Sequence, residues 1–272
     1  MIDILKQAVK VKLDGLFLVV MGASGVGKSR FLGTYPARTL LLYGSGESHG
    51  PASASVPAGD NLIAVPWDRG ESGELPPDSV LPRIKALLAP DALKAAGIKC
   101  VAIDSLTNLC LDLKKTAVYK QRCSDAKGNH NPFKESEALI ELISGVIRPL
   151  QQLNDYHGID SICTLDLSIQ KVSDEGYILE SKPGLPTFGV GKAVIQQFPD
   201  ILVLNRRGSH APEFESMATV VSSSETRATK DNPVSEMVKY LEFHPRLRGV
   251  AALPNIIPAD VREVLKLKGV KP

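Results

Sequence analysis

The chain has 272 residues, 43% apolar and 23% charged, close to the average for soluble globular proteins and enough for one sizeable core without metals or disulfides. Its 32 Lys and Arg against 30 Asp and Glu leave a formal charge of +2, too little for a whole-molecule field to select nucleic acid. No apolar run approaches the roughly 18 residues that span a membrane, the N-terminus has no signal-peptide layout, and Cys100, Cys110, Cys123 and Cys163 lack zinc-site spacing, so a cytoplasmic protein with reduced thiols and no membrane partner is expected.

In chain order, Ile2, Leu5, Ala8, Val9 and Leu13 recur at near-helical spacing and predict a short entry helix over residues 1–15. The period then changes. Leu16 to Met21 is a continuous apolar run, the pattern of a strand buried on both faces of a parallel sheet, and it leads directly into a glycine-rich loop and the start of a helix. Further buried strands are predicted at 39–43, 62–65, 100–103, 161–165 and 201–204, with weaker candidates at 217–222 and 237–243. Residues 44–79 are crowded with Gly, Pro and Ser and read mostly as loop, with Trp67 anchoring it to the core. Residues 135–157 carry apolar positions at helical spacing despite Pro149. A mobile loop over 184–191, a short helix over 192–198 and a final helix over 258–266 complete the reading.

Alternating strands and helices predict an α/β fold, a mostly parallel twisted sheet flanked by helices on both faces. The expected division is an N-terminal helix over 1–15, one core over 16–244, and a basic C-terminal tail with a short helix over 245–272. Two stretches concentrate positive charge, Lys114 to Lys127 and Lys239 to Lys271. Each is either a contact site or a solvated face.

Gly22, Ala23, Ser24, Gly25, Val26, Gly27, Lys28 and Ser29 form the pattern G-x-x-x-x-G-K-S, and Arg30 follows in the expected helix. The glycines let the backbone turn its amides toward phosphate oxygens. Lys28 supplies charge to the β and γ phosphates, and Ser29 a hydroxyl for Mg²⁺. Asp104, at the end of an apolar strand, has the position of the second metal-binding acid, although an Asp there can also cap the next helix. Hydrolysis needs a group that orients water, and Glu47, beyond the second buried strand on the same sheet edge, is the candidate. Thr229-Lys230-Asp231-Asn232 has Asn where a guanine-specific motif needs a second carboxylate, so ATP is expected.

Taken together, the loop at 22–29, the segment Leu42 to Glu47, Val101 to Thr107, the stretch 184–200 and Arg227-Ala228-Thr229-Lys230-Asp231 resemble the RecA-like P-loop ATPases. The likeness is strongest to the phage single-strand annealing and recombination proteins of the Sak group, and it spans about residues 16–232. It implies ATP and Mg²⁺ as cofactors, Glu47 as the water-activating acid, and a γ-phosphate sensor after the fourth strand. Asp166 occupies that position, with Gln170 as the alternative; His or Gln is more usual there than Asp. It also implies a DNA-contacting loop with Lys171, Lys182 and Lys192, and a basic finger at Lys230, with Arg227, that reaches a neighbouring subunit. Single-stranded DNA, a homo-oligomeric ring or filament, and a single-strand-binding protein are the implied partners, in a bacterial host cell. Tyr119, Phe133, Tyr177 and Phe188 are available for base stacking. Other readings of the same loop are a helicase or packaging motor, a small-molecule kinase with Arg206-Arg207 in its lid, and a regulatory nucleotide-binding module.

Overall fold

The computed structural model describes residues 15–44, 61–70, 72–125, 128–185, 188–223 and 240–270. The expected N-terminal helix lies outside them. The strands are β1 (Phe17–Gly22), β2 (Thr39–Tyr43), β3 (Leu62–Pro66), the short ribbon β4 (Arg69–Gly70) and β5 (Gly73–Glu74), β6 (Cys100–Asp104), β7 (Asp160–Val172), β8 (Ile178–Pro183), β9 (Asp200–Asn205), β10 (Glu213–Glu215), β11 (Val220–Ser223), β12 (Tyr240–Phe243) and β13 (Ile256–Pro258). The α-helices are α1 (Lys28–Leu32), α2 (Val80–Leu87), α3 (Pro90–Ala95), α4 (Leu106–Lys114), α5 (Ala117–Arg122), α6 (Glu135–His157), α7 (Phe188–Ile195) and α8 (Val261–Leu267).

Six strands run parallel in the order β3-β2-β6-β7-β1-β9, and β10 and β13 extend the sheet antiparallel beyond β9. The apolar runs are continuous because both faces are covered. Along β1 and its neighbours, Phe17, Val19, Met21, Val101, Ile103, Cys163, Leu165 and Val203 pack on one face under α2, α4, α6 and α7. Leu18, Val20, Ala102, Ile162, Leu202 and Leu204 alternate to the other face, under α1 and α8, as the two-residue period of a strand requires. Trp67 is fully buried and donates its indole N–H to Asp112 (2.9 Å), so it does anchor its loop.

Several boundaries differ from those predicted. β7 runs on from its predicted end through Val172 and turns back as β8, so residues 171–183 form a hairpin rather than a loop. Leu165, Leu167 and Ile169 alternate with Asp166, Ser168 and Gln170, so the two-residue signal continues past the predicted end, and the pairing shifts register only around Lys171. The short helix starts at Phe188, not Lys192, and Pro258 ends a strand. The final helix begins three residues later, at Val261, capped by the Asp260 carboxylate, which accepts from the Arg262 amide (2.8 Å).

Three residues of the C-terminal basic stretch, Arg246, Arg248 and Lys268, are committed to the core. Arg246 donates to the carbonyls of Phe198 and Pro199 (3.1 and 3.3 Å), and Arg248 donates to the Gly15 carbonyl and to Asn154 (3.2 Å each). Lys268 reaches the Asp200 carboxylate (2.8 Å) and the Gly15 carbonyl (3.0 Å). These groups close the sheet edge opposite the glycine-rich loop, beside Asp160, which accepts from the Leu16 amide (2.9 Å) and the Tyr35 hydroxyl (2.8 Å).

Burial raises the Asp160 carboxyl above the ordinary carboxylate range, against the lowering effect of those two hydrogen bonds and of Lys268. The folded chain therefore holds this proton to a higher pH than the unfolded one. Its contribution to stability is fully present at acid pH and declines as pH rises from the unfolded value through the raised folded one. Asp160→Asn should flatten that slope: the variant gains stability relative to the parent as pH rises from 4 to 7, read as the difference in melting midpoints. A difference constant across that range would contradict the assignment.

Candidate nucleotide-phosphate site

The glycine-rich loop leaves β1 at Gly22 and enters α1 at Lys28. Gly25 and Gly27 have φ of +75° and +112°, in the left-handed region that only glycine enters without strain. Gly22 is needed for a different reason. A Cβ there would lie 2.7 Å from the Leu204 carbonyl oxygen of β9 and 2.8 Å from Val26, so only glycine lets β9 pass this close. Gly22→Ala should cost about 1–3 kcal/mol through overpacking, measured by denaturant unfolding; an unchanged midpoint would show that β9 can give way.

Lys28 is 7% exposed. Its ammonium donates to the carbonyls of Gly22 and Ala23 (2.9 Å each) and is ion-paired with Asp166 (2.7 Å). The Ser29 hydroxyl donates to Asp104 Oδ2 (2.5 Å), and the Thr164 hydroxyl donates to Asp104 Oδ1. Asp104 is 3% exposed. The cap of α4 is Ser105, whose hydroxyl accepts from the Asn108 amide (3.3 Å), so Asp104 is released from the capping role that its position also allowed. A buried carboxylate and a hydroxyl in contact make a hard oxygen donor pair, the kind that holds Mg²⁺ together with substrate phosphates and waters. Among the described residues no group of three or more His, Cys, Asp or Glu could hold a metal ion; the Ser29–Asp104 pair is a donor set whose chemistry is compatible with Mg²⁺.

Residues far apart in the chain meet here because of strand order. β7 lies between β1 and β6, with Gly22 opposite Asp166 and Val20 opposite Thr164, so Thr164 and Asp166 project beside the loop and Asp104. Sequence reasoning missed Thr164. Its signal is a polar residue inside an apolar strand, two positions before Asp166 and on the same face. Asp166 is held by its backbone: its N–H donates to Thr107 Oγ1 (3.1 Å), and its carbonyl accepts from Gly184 (2.8 Å).

The other predicted residues are distributed differently. Gln170 lies about 13 Å further along β7 at 3.3 Å per residue and donates to the Ser168 hydroxyl (2.8 Å); the strand carries it away from the loop. Lys171 is paired with Glu180 across the hairpin (3.0 Å). Lys182 is half-buried on β8, and Lys192 is exposed on α7. Tyr119 is buried and the Tyr177 ring lies under the Arg207 guanidinium, 4.3 Å from its centroid, so both are packing rather than free stacking platforms. Arg207 also donates to Glu213 (2.9 Å), and Arg206 donates to the His210 carbonyl (3.2 Å), which commits the pair expected in a kinase lid. Glu47, Arg227 and Lys230 lie outside the described residues, as do the side chains of Phe133 and Phe188. β2 brings the chain to the site edge at Gly44, three residues before Glu47, with Tyr43 opposite Asp104.

The core is an α/β fold, a mostly parallel sheet with helices on both faces. An ATPase from the type III secretion system of pathogenic bacteria is similar in structure over 71% of this chain, with 17% identity and a TM-score of 0.42. The chain spans 54% of that protein. No protein-family model and no curated protein matches the chain. Among the described residues no helix is long and apolar enough to cross a membrane.

Proposed function

We propose that the chain is a Mg²⁺-dependent ATPase of the Sak-group kind, which binds single-stranded DNA in recombination or strand annealing and works as a ring or filament of identical copies in a phage-infected bacterial cell. The observation that carries the nucleotide part is the meeting of Lys28, Ser29 and Asp104 at one edge of the sheet. Lys28 neutralises phosphate charge, and Ser29 and Asp104 would hold Mg²⁺, which supplies electrostatic stabilisation as charge builds on the transferred phosphoryl group. Glu47 orients the attacking water. Lys230 of a neighbouring copy completes the site, so that hydrolysis depends on assembly.

The DNA part is supported by one connection. The Gly184 amide that bonds Asp166 opens the segment between Lys182 and Lys192, so a strand held by those two lysines acts on the backbone that positions Asp166. The hairpin tip, Asp174-Glu175, is exposed and acidic, and Lys171 is already paired, which favours Lys182 and Lys192 over Lys171 as phosphate contacts. A regulatory module that hydrolyses little is the second reading, favoured by that acidic tip, which suits a protein partner better than a polyanion.

Phosphate release measured with and without an unstructured oligodeoxynucleotide separates them. DNA stimulation at low ionic strength, lost in the double variant Lys182→Ala/Lys192→Ala and weakened by salt, is expected. No single-strand binding at low ionic strength would overturn the DNA part and leave the nucleotide part standing.

A further inference from the structure

The Lys28 ammonium has two partners from its own loop, which keep it aimed, and one that competes with a nucleotide. That one is Asp166, whose carboxylate sits 2.7 Å away and would compete with a terminal phosphate oxygen for the same ammonium. Among the described residues, the other acid at this edge, Asp104, is occupied by the Ser29 and Thr164 hydroxyls. Asp166 cannot withdraw as a whole. Its N–H is held by Thr107, its carbonyl by Gly184, and a Cβ on Gly184 would come within 3.2 Å of the Asp166 Cβ. The carboxylate can move only by rotating about its own side-chain bonds, and its 34% exposure against 8% for Lys28 shows that the open side is solvent.

We propose that Asp166 is a counter-ion that a terminal phosphate must displace from Lys28, and that it thereby sets the preference of the site between nucleoside triphosphate and diphosphate. The inference rests on reading the site as a nucleotide pocket. A diphosphate reaches Lys28 through its β-phosphate alone and leaves the terminal-phosphate position empty, so Asp166 can keep part of its contact with the ammonium. A triphosphate brings a further oxyanion to the ammonium, breaks the pair and leaves the displaced carboxylate nearby, anchored by its backbone. Both effects oppose the triphosphate more than the diphosphate. Mg²⁺ on Ser29 and Asp104 would offset part of this charge, so Asp166 also makes triphosphate binding more dependent on the metal.

The test is the ratio of equilibrium dissociation constants for ADP and for a non-hydrolysable ATP analogue, at fixed Mg²⁺, in the parent chain, Asp166→Asn and Asp166→Glu. Asp166→Asn should tighten the analogue relative to ADP by about tenfold or more, the low end of what one adjacent charge does to an equilibrium. Asp166→Glu, whose carboxylate still reaches the ammonium, should keep the parent ratio. Asp166→Ser removes the same charge and carries the test if the Asn variant does not fold. A ratio unchanged in the charge-free variants, or an analogue weakened more than ADP, would overturn the inference while leaving the pocket a nucleotide site. Failure of the parent and all variants to bind either nucleotide would overturn the pocket itself, and the inference with it. A purely structural role for Asp166 would alter both affinities together and leave the ratio fixed.

Discussion

Lys28→Ala should reduce phosphate release from Mg·ATP by about a hundred- to a thousandfold, the scale of losing one pre-positioned donor aimed at developing charge. The ammonium is held by the Gly22 and Ala23 carbonyls, so it does not need to search for the phosphates. Its loss also removes the ion-pair partner of the Asp166 carboxylate, and that charge then repels phosphate. Lys28→Arg retains the charge but not the fit, because the guanidinium is larger and planar and the lysine is almost fully enclosed. It should recover little. The control is the melting midpoint: Asp166 is about one-third exposed and can hydrate when unpaired, so Lys28→Ala should melt near the parent. Normal turnover in Lys28→Ala would move the chemistry away from this loop.

Lys268→Ala should be strongly destabilising although the residue lies four positions from the C-terminus. Its ammonium and the Asp200 carboxylate are 1% and 0% exposed. Asp200 also accepts from the amides of Phe17 (3.1 Å) and Arg248 (2.6 Å), so one carboxylate ties the start of β1 to the C-terminal segment. Removing the cation leaves a buried charge with only neutral donors, a change that costs about 3–5 kcal/mol. At about 2–4 °C per kcal/mol for a chain of this size, the melting midpoint should fall by about 10 °C. Lys266, which is 76% exposed and 3.8 Å from Glu263, provides the comparison, since Lys266→Ala should change stability by less than about 0.5 kcal/mol. Equal midpoints for the two variants would show that the buried pair contributes nothing net.

The parts of the site that are consecutive in the chain were readable from it. The loop from Gly22 to Ser29 is one motif, and Asp104 stands at the end of a strand whose apolar residues mark it as buried on both faces. Asp166 was readable as a position but not as a contact. Its pairing with Lys28 depends on β1 and β7 lying side by side in register, and on β7 separating β1 from β6, which residue spacing alone does not specify. The extension of β7 past Asp166 is legible in the alternation of Leu165, Leu167 and Ile169 with polar residues, whereas its pairing with β8, which shifts register around Lys171, is not; β10 and β13 are hidden because three residues are too few to display a period. The charge of the C-terminal stretch was visible, but its use was not. Arg246, Arg248 and Lys268 look like a solvated basic face until the fold places Asp200 and backbone carbonyls against them.

The most direct test of the site is phosphate release from ATP by the purified chain as Mg²⁺ is titrated, with Asp104→Asn beside it. Release that requires Mg²⁺ in the parent, and that falls by about a hundredfold in Asp104→Asn without loss of fold, is the expected result. Equal release by the two proteins, or release independent of Mg²⁺, would contradict the assignment of Lys28, Ser29 and Asp104 to one nucleotide site.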